Sequence, residues 1–381
     1  MEQEEPQNIV LESARRFIAE EIAPSAHDAD EKEEFALRNF KEMGRLGFLG
    51  IPFPVEYGGA NLRYSFFCSR VLREIASACA STAASLLAHT SLAGASIFRF
   101  GSEDQKQRYL KPLASGEKIG AWGLTEAMAG SDIGAIEMLA EKTGDEYVLN
   151  GTKIFITNAN VADIFVVAAK SDPAKGMMGI SLFIVEKGMK GFATSGKSEK
   201  KLGMRASDTG ELFFDDVVVP SKNLLGRRGL GLPMLHQTLT GSRVAMAAIA
   251  LGISEAAYRL CLEHAKEREQ FGKPIYQFQS VGNMLAEMAM KISASDLLLK
   301  KAAAGMDRRT ANSLDASIAK LFASEAAMEI TRDAVQIFGG YGCSRALPLE
   351  RFFRDAKLTE IADGTSEIHR MLIAEEVVKN S

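Results

Sequence analysis

Hydrophobic positions in the first third of the chain recur at helical spacing. Residues 10–22 form an amphipathic pattern that we expect Pro24 to end, and residues 37–46 predict a second helix. Residues 65–100 are rich in Ala, Leu and Ser at spacings of three and four, which is typical of closely packed, buried helices. The pattern therefore predicts an N-terminal α-helical domain, which we place at residues 1–117.

The period of the pattern changes near Ile119, where β-branched and aromatic runs replace the helical spacing. Residues 146–149 and 153–157 flank an Asn-Gly pair, which is the sequence typical of a two-residue hairpin turn. Three further runs of this kind follow, at residues 163–169, 180–185 and 211–219. We expect a compact, barrel-like β domain over residues 118–226.

Helical periodicity returns after Gly231 and continues to the end of the chain. Four runs carry apolar residues at i, i+3, i+4 and i+7: residues 239–265, 279–304, 314–338 and 366–378. Long helices with short joints predict an antiparallel four-helix bundle, here a C-terminal domain at residues 227–381. The predicted fold class is thus multi-domain α+β, in the order helical, β, helical.

Composition and charge narrow the classes of partner. In 381 residues, 45 Lys and Arg stand against 49 Asp and Glu, so no basic excess indicates nucleic acid binding. The four cysteines contain no CxxC pair, which favours reduced core thiols. The acidic opening and the shortness of the apolar stretches predict neither a leader nor membrane insertion. We expect a cytoplasmic protein of a bacterium or archaeon, or the mature form of a mitochondrial-matrix protein.

Several common catalytic motifs are missing from the sequence. There is no HExxH, and the five histidines show no metal-ligand spacing, so we expect no metal. The phosphate loop GxxxxGK[ST], the dinucleotide fingerprint GxGxxG and the nucleophile elbow GxSxG are also absent. Any chemistry must therefore come from other segments.

Three segments contain more glycine, hydroxyl and charged residues than turns and helix ends alone require. In AWGLTEAMAGSD (121–132), Ser131 either caps a turn or helps to bind an anionic ligand. In REQFGKP (268–274), Arg268 either ends a helix or pairs with a phosphate. In residues 336–370, glycines allow close approach of a ligand, and Thr365 or Ser366 begins a helix whose N-terminus both needs a cap and can bind an anion.

Together these segments resemble the acyl-CoA dehydrogenase family over nearly the whole chain. The matching motifs, in the family's order, are TEAMAGSD (125–132), NGTKIFITN (150–158), KLGMRASDT with LFFDDVVVP (201–220), LTGSR (239–243), EREQFGKP (267–274), QIFGGYG (336–342) and ADGTSEIHR (362–370). The resemblance implies a flavoprotein oxidoreductase with one FAD per subunit. It also implies a homotetramer (a dimer of dimers) that acts on an acyl-CoA and passes electrons to electron-transfer flavoprotein.

The resemblance also assigns roles to individual positions. Those matching the flavin-binding residues are Leu124, Thr125, Gly130, Ser131, Phe155, Ile156, Thr157, Thr365 and Glu367. Those matching contacts to the FAD of a neighbouring subunit are Arg268, Phe271, Gln279, Gln336, Ile337, Gly339 and Gly340. Those matching substrate-binding residues are Ser131, Arg243 and Gly364. Many members of the family have Trp at the position of Phe155. The resemblance implies that Phe155 still places an aromatic ring over the flavin.

The family's reaction removes a proton from Cα of the thioester and a hydride from Cβ, and the hydride goes to flavin N5. The residue at the position of the base, usually Glu, is Asp363, and the other known location of the base holds Ser242. Aspartate reaches about 1.5 Å less far than glutamate. Either Asp363 serves a substrate seated closer to it, such as a branched or cyclic acyl group, or the backbone is shifted, or the activity is altered or lost.

Three other functions stay open from the sequence. A flavin oxidase or monooxygenase on the same scaffold would reoxidise rapidly in air. An acyl carrier protein could replace coenzyme A as the carrier of the thioester. A catalytically silent scaffold subunit would purify without a flavin.

Overall fold

The computed structural model describes residues 4–308 and 312–379, so the first three residues of the acidic opening lie outside it. Its N-terminal part is mainly helical up to Ala114. The α- and π-helical segments there are Glu4–Phe17, Ile18–Ile22, Ala23–Lys32, Leu37–Arg45, Tyr64–Phe66, Phe67–Leu72, Arg73–Ala78, Ala80–Leu86, Leu87–Gly94, Ala95–Phe100, Glu103–Gln105, Lys106–Leu110 and Lys111–Ala114, and two short 3-10 helices lie at Phe48–Gly50 and Val55–Tyr57. Most small residues of the Ala- and Ser-rich stretch are buried, as expected from their spacing, whereas Ala78 and Ala84 are partly buried.

The prediction that Pro24 ends the first helix is wrong. The chain widens into a π-helical turn at Ile18–Ile22 and continues as the helix Ala23–Lys32. Proline lacks a backbone N–H and its ring needs room, and both are tolerated in the first turn after the wider segment. The helix instead ends where Glu33 takes a left-handed conformation.

The middle part is a β-sheet with mostly antiparallel pairing. Its strands are β1 (Gly120–Gly123), β2 (Leu139–Thr143), β3 (Glu146–Thr157), β4 (Ile164–Lys170), β5 (Ile180–Glu186), β6 (Phe192–Thr194), β7 (Thr209–Pro220) and β8 (Leu224–Leu225). The strand order is β6-β7-β3-β2-β4-β5-β8, and β1 pairs in parallel with β4. Strands β4 and β5 are buried along almost their entire length, so they form the centre of this part.

The Asn-Gly pair is not the hairpin turn that the sequence predicts. Strand β3 runs without interruption through Asn150 and Gly151, and its register against β7 shifts at this point. Gly151 has φ of +143°, so the pair forms a β-bulge rather than a turn. The hairpin lies earlier, where β2 meets β3 around Gly144, which has φ of +60°.

The C-terminal part consists of helices α1 (Gly231–Glu267), α2 (Gln279–Asp307), α3 (Ser313–Phe338), α4 (Leu349–Ile361) and α5 (Ser366–Lys379), with a short strand pair β9 (Glu269–Gln270) and β10 (Lys273–Pro274). Helix α3 packs against α1, α2, α4 and α5 and so forms the centre of the bundle. Helix α4 was not among the predicted helices. Its position just before Asp363 makes it important for the site.

One helix among the described residues is long and apolar enough to cross a membrane by length and composition, contrary to the expectation that every apolar stretch is too short. It is α1, and 78% of its most apolar window is buried inside the protein. A mostly buried core helix passes the same test, so this is weak support for a membrane span.

The four cysteines are free, and Cys68, Cys79 and Cys261 are buried. The expectation of core thiols is wrong for Cys343, which is exposed in the glycine-rich segment after α3.

Candidate active site

The first two motifs meet at one edge of the sheet. The backbone N–H of Ile154 donates to the carbonyl oxygen of Thr125 at 2.9 Å, which fixes the loop after β1 beside the end of β3. Leu124 and Ile156 are buried, whereas Thr125 and Thr157 are partly exposed. The structure therefore brings together the two segments that the sequence predicts on the flavin.

A second irregularity in β3 exposes the aromatic ring expected over the flavin. Between Lys153 and Ile156 the register against β7 shifts again, and Phe155 has φ of +55°. Lys153 and Ile156 both face inwards, while Phe155 between them is 65% exposed. A large exposed aromatic residue in a strained backbone conformation is unfavourable unless a partner covers the ring.

A buried ion pair lies directly behind these two segments. The Lys153 ammonium is fully buried and donates to Oε1 of Glu126 at 2.6 Å and to the carbonyl oxygen of Leu124 at 3.0 Å. The Glu126 carboxylate also accepts the backbone N–H groups of Glu137 and Met138. Burial lowers the pKa of Lys153 to about 8, opposed by the charge of Glu126. This pair joins the loop after β1, strand β3 and the start of β2.

Open space lies against the backbone at the glycines predicted to contact FAD. A Cβ atom added to Gly130, Gly339 or Gly340 would meet no atom within 4 Å. Gly339 has φ of +58°, a conformation that favours glycine. Ser131 is exposed beside Gly130, so both glycine-containing segments leave accessible backbone for a ligand.

The residues predicted to reach a neighbouring subunit's FAD lie together at one end of the C-terminal bundle. The end of α1 and the end of α3 are joined by the stacked rings of His264 and Phe338, 4.0 Å apart. Phe271, in the turn between β9 and β10, is 94% exposed. The other members of this set are the exposed Arg268, Gln279 and Gln336 and the buried Ile337.

Asp363 occupies the turn between α4 and α5, which we call the Asp363 turn (residues 362–365). Asp363 has φ of +57° and Gly364 has φ of +107°. The Oδ2 atom of Asp363 is buried and has no hydrogen-bond partner among the described residues. No acceptor for its backbone N–H is found in that part of the chain either. A buried, unpaired carboxylate oxygen is costly, so it indicates a place where a ligand binds.

The surroundings of Asp363 tune its acidity. Burial raises the pKa of Asp363 above its ordinary value, while the charge of Lys320, the hydroxyl of Ser242 and the charge of Arg243 lower it. Arg243 is only 4% exposed, and its Nε donates to the carbonyl oxygen of Asp363 at 3.4 Å. Thus Arg243, predicted to hold the substrate, is directed at the Asp363 turn.

The remaining predicted residues of this region lie at the start of α5. The Thr365 hydroxyl accepts the backbone N–H of Ile368 at 3.3 Å and caps the helix. Glu367 is exposed in the first turn, next to Thr365. A Cβ atom added to Gly364 would lie 3.2 Å from Nε2 of the buried His369, and its φ of +107° favours glycine, so a larger residue would be strained here.

These features fit an FAD-binding site. The exposed ring of Phe155, the open backbone at Gly130 and Gly340, and the unpaired buried oxygen of Asp363 each lack a partner that a bound flavin and thioester would supply. Among the described residues no group of three His, Cys, Asp or Glu side chains is placed to hold a metal ion. The fold and the site together define a flavoenzyme of the three-domain, helical–β–helical class.

The chain belongs to the acyl-CoA dehydrogenase family. The family models for the N-terminal, middle and C-terminal domains of acyl-CoA dehydrogenase match residues 4–117, 121–217 and 229–378. A short-chain specific acyl-CoA dehydrogenase of Clostridium acetobutylicum is 47% identical over 98% of both chains.

Solved structures agree with this assignment. The butyryl-CoA dehydrogenase of Megasphaera elsdenii has a TM-score of 0.95 at 42% identity, covering 98% of both chains. A chain from the study of the electron transferring flavoprotein of Acidaminococcus fermentans has a TM-score of 0.95 at 43% identity, covering 97% of both chains. The predicted family, fold class, FAD cofactor and acyl-CoA dehydrogenase activity are confirmed. The roles of the individual residues stay predictions.

Sequence reasoning missed the buried polar residues that support the site. Lys153, Glu126 and His369 stand inside the quoted motifs but were given no role, and Lys320 was not considered. A lysine inside an otherwise apolar helix or strand pattern was the available signal, because a buried lysine needs a partner.

Proposed function

We propose that Asp363 is the base that removes the α-proton from a short, α-branched acyl-CoA. The observation that carries this proposal is the buried, unpaired Oδ2 of Asp363 in a turn held by Arg243. Burial raises the pKa of this carboxyl, which makes its ionised form a stronger proton acceptor. When bound, FAD accepts the hydride that leaves Cβ.

The backbone of the Asp363 turn supplies the second element of the mechanism. The unpaired N–H of Asp363 can donate to the thioester oxygen, which lowers the cost of the negative charge that develops when the α-proton leaves. Phe155 and Ile156 shield the reacting atoms from water on the other side. Gly364, Arg243 and Ser131 complete the proposed substrate contacts, and the remaining predicted residues hold FAD.

The substrate class follows from the length of the acid. Aspartate leaves about 1.5 Å more space at the α-carbon than glutamate would. A methyl branch that points away from the carboxylate would move the α-carbon towards Asp363 and leave its one proton facing the acid. The short acyl chain is supported by the relatives, whose names specify short-chain and butyryl substrates.

Anaerobic reduction of the flavin tests this substrate class. We expect isobutyryl-CoA to bleach the flavin faster than butyryl-CoA, and Asp363→Glu to lower the ratio of the two rates about tenfold, since one methylene changes discrimination by about that factor. An unchanged ratio in Asp363→Glu would contradict the α-branched substrate. If no acyl-CoA bleaches the flavin but thioesters of acyl carrier protein do, the result would contradict coenzyme A as the carrier of the acyl group.

The electron acceptor of the reduced flavin is a further part of the function. We propose that electrons pass to electron-transfer flavoprotein, supported by the neighbour from Acidaminococcus fermentans. The reduced flavin should then reoxidise slowly in air, whereas rapid formation of peroxide would favour an oxidase. We also propose that the domain boundaries lie at residues 117/118 and 226/227. We propose a cytoplasmic location for the protein.

We also propose a homotetramer. Large apolar side chains are exposed on the C-terminal part, among them Phe271, Leu297, Met290 and Tyr341, and such surfaces favour association. Light scattering should give four times the 41.3 kDa chain mass. Leu297→Glu, which places a charge on this surface, should lower that mass. A wild-type protein that remains monomeric at micromolar concentration would refute the tetramer.

A further inference from the structure

A buried ammonium group joins the end of helix α4 to the Asp363 turn. Lys320, on α3, is fully buried, and its Nζ donates to the carbonyl oxygen of Gly364 at 2.6 Å and to that of Glu360 at 3.0 Å. Glu360 lies in the last turn of α4, and Gly364 lies two residues before α5. One side chain thus binds the backbone on both sides of Asp363.

The turn needs such support because its backbone is strained. Asp363 with φ of +57° is in the left-handed region, which is unfavourable for a residue other than glycine. Residues in this region persist where surrounding contacts hold them. Charge-assisted hydrogen bonds are stronger than neutral ones, so the two bonds from Lys320 are well suited to this task.

The charge of Lys320 acts on Asp363 as well. It favours the ionised carboxylate, against the effect of burial. Burial lowers the pKa of Lys320 to about 8, so the ammonium predominates at neutral pH. The charged and titratable groups that face Lys320 are Asp363, Arg243, Glu360, Glu325 and His369. Of these, burial lowers the pKa of His369 to about 3, so its ring is neutral at neutral pH.

We propose that Lys320 is a positioning residue for the dehydrogenation. Its ammonium holds the turn so that the carboxylate and the backbone N–H of Asp363 face the same substrate. In this role Lys320 acts through the turn and touches neither substrate nor FAD. This inference rests on the proposed role of Asp363 as the base.

Two substitutions separate the hydrogen bonds of Lys320 from its charge. Lys320→Met removes both, and we expect kcat to fall about a hundredfold, because a displacement of ~1 Å has this effect, with little change in KM. Lys320→Gln keeps a neutral donor and should recover part of the loss. In both variants the acidic limb of the pH profile of kcat/KM should move to higher pH, since the charge that lowers the pKa of Asp363 is gone.

Amide hydrogen exchange supplies a measurement that is independent of activity. In the FAD-loaded enzyme, the peptide that covers residues 362–369 should exchange faster in Lys320→Met than in wild type. Lys301→Met is the matched control: Lys301 is exposed and pairs with Asp315, and its loss should leave exchange and rate unchanged.

Unchanged exchange, kcat and acidic limb in a folded Lys320→Met would overturn the inference. If that variant does not fold, an unshifted acidic limb in Lys320→Gln overturns it instead. A fully active Asp363→Asn would be a different result, since it refutes the proposed base whatever Lys320 does.

Discussion

Asp363→Asn should retain FAD and lose the reduction of the flavin by substrate. The amide has nearly the shape of the carboxylate but cannot accept the α-proton, and loss of a general base costs about 10²–10⁴-fold in rate. The measurement is the rate of anaerobic bleaching at saturating isobutyryl-CoA. The flavin absorbance of the purified variant shows whether the cofactor is still bound.

The environment of Asp363 predicts the pH dependence of the wild-type reaction. Because burial raises the pKa of this carboxyl, the bleaching rate should rise with pH through that raised pKa as the carboxylate ionises. The limb should vanish in Asp363→Asn. Asp145→Asn, an exposed aspartate between β2 and β3, is the matched control and should behave as wild type. Bleaching by Asp363→Asn at the wild-type rate would refute the assignment.

Lys153→Met should destabilise the protein by about 3–5 kcal/mol, the usual cost of leaving one member of a buried ion pair without its partner. The Glu126 carboxylate would keep its two backbone N–H donors but lose the ammonium at 2.6 Å. The loop that carries Thr125 would lose its link to β3 through Leu124, so we also expect FAD affinity to fall at least about tenfold. Denaturant unfolding and FAD titration of the apoprotein measure the two effects.

A second substitution distinguishes charge from shape at this pair. Glu126→Gln combined with Lys153→Met removes the uncompensated charge while keeping an acceptor for the backbone of Met138. It should recover part of the lost stability. Lys142→Met, on the neighbouring strand β2 and exposed, is the control. If Lys153→Met binds FAD like the control and is equally stable, the ion pair does not support the flavin site.

The sequence predicted the family and the fold class correctly, but it predicted two local conformations wrongly. Asn150 and Gly151 have the composition of a hairpin turn, yet the long pairing of β3 with β7 keeps the strand continuous and turns the pair into a bulge. Pro24 has the composition of a helix end, yet the π-helical turn before it allows the helix to continue. In both places contacts from distant or preceding segments outweighed local preference.

By itself, the sequence determined the order of the three parts, the family, the cofactor and the identity of the acid at position 363. These properties depend on periodicity and on short motifs, which are local along the chain. Only the tertiary structure decided that Lys153 meets Glu126 and that Lys320 meets the carbonyl oxygens around Asp363. Such pairs join residues that are 27 and 44 positions apart. In the sequence, a buried charged residue is visible only as a polar residue within an apolar pattern. Its partner cannot be read from the sequence, because tertiary packing decides which residues meet.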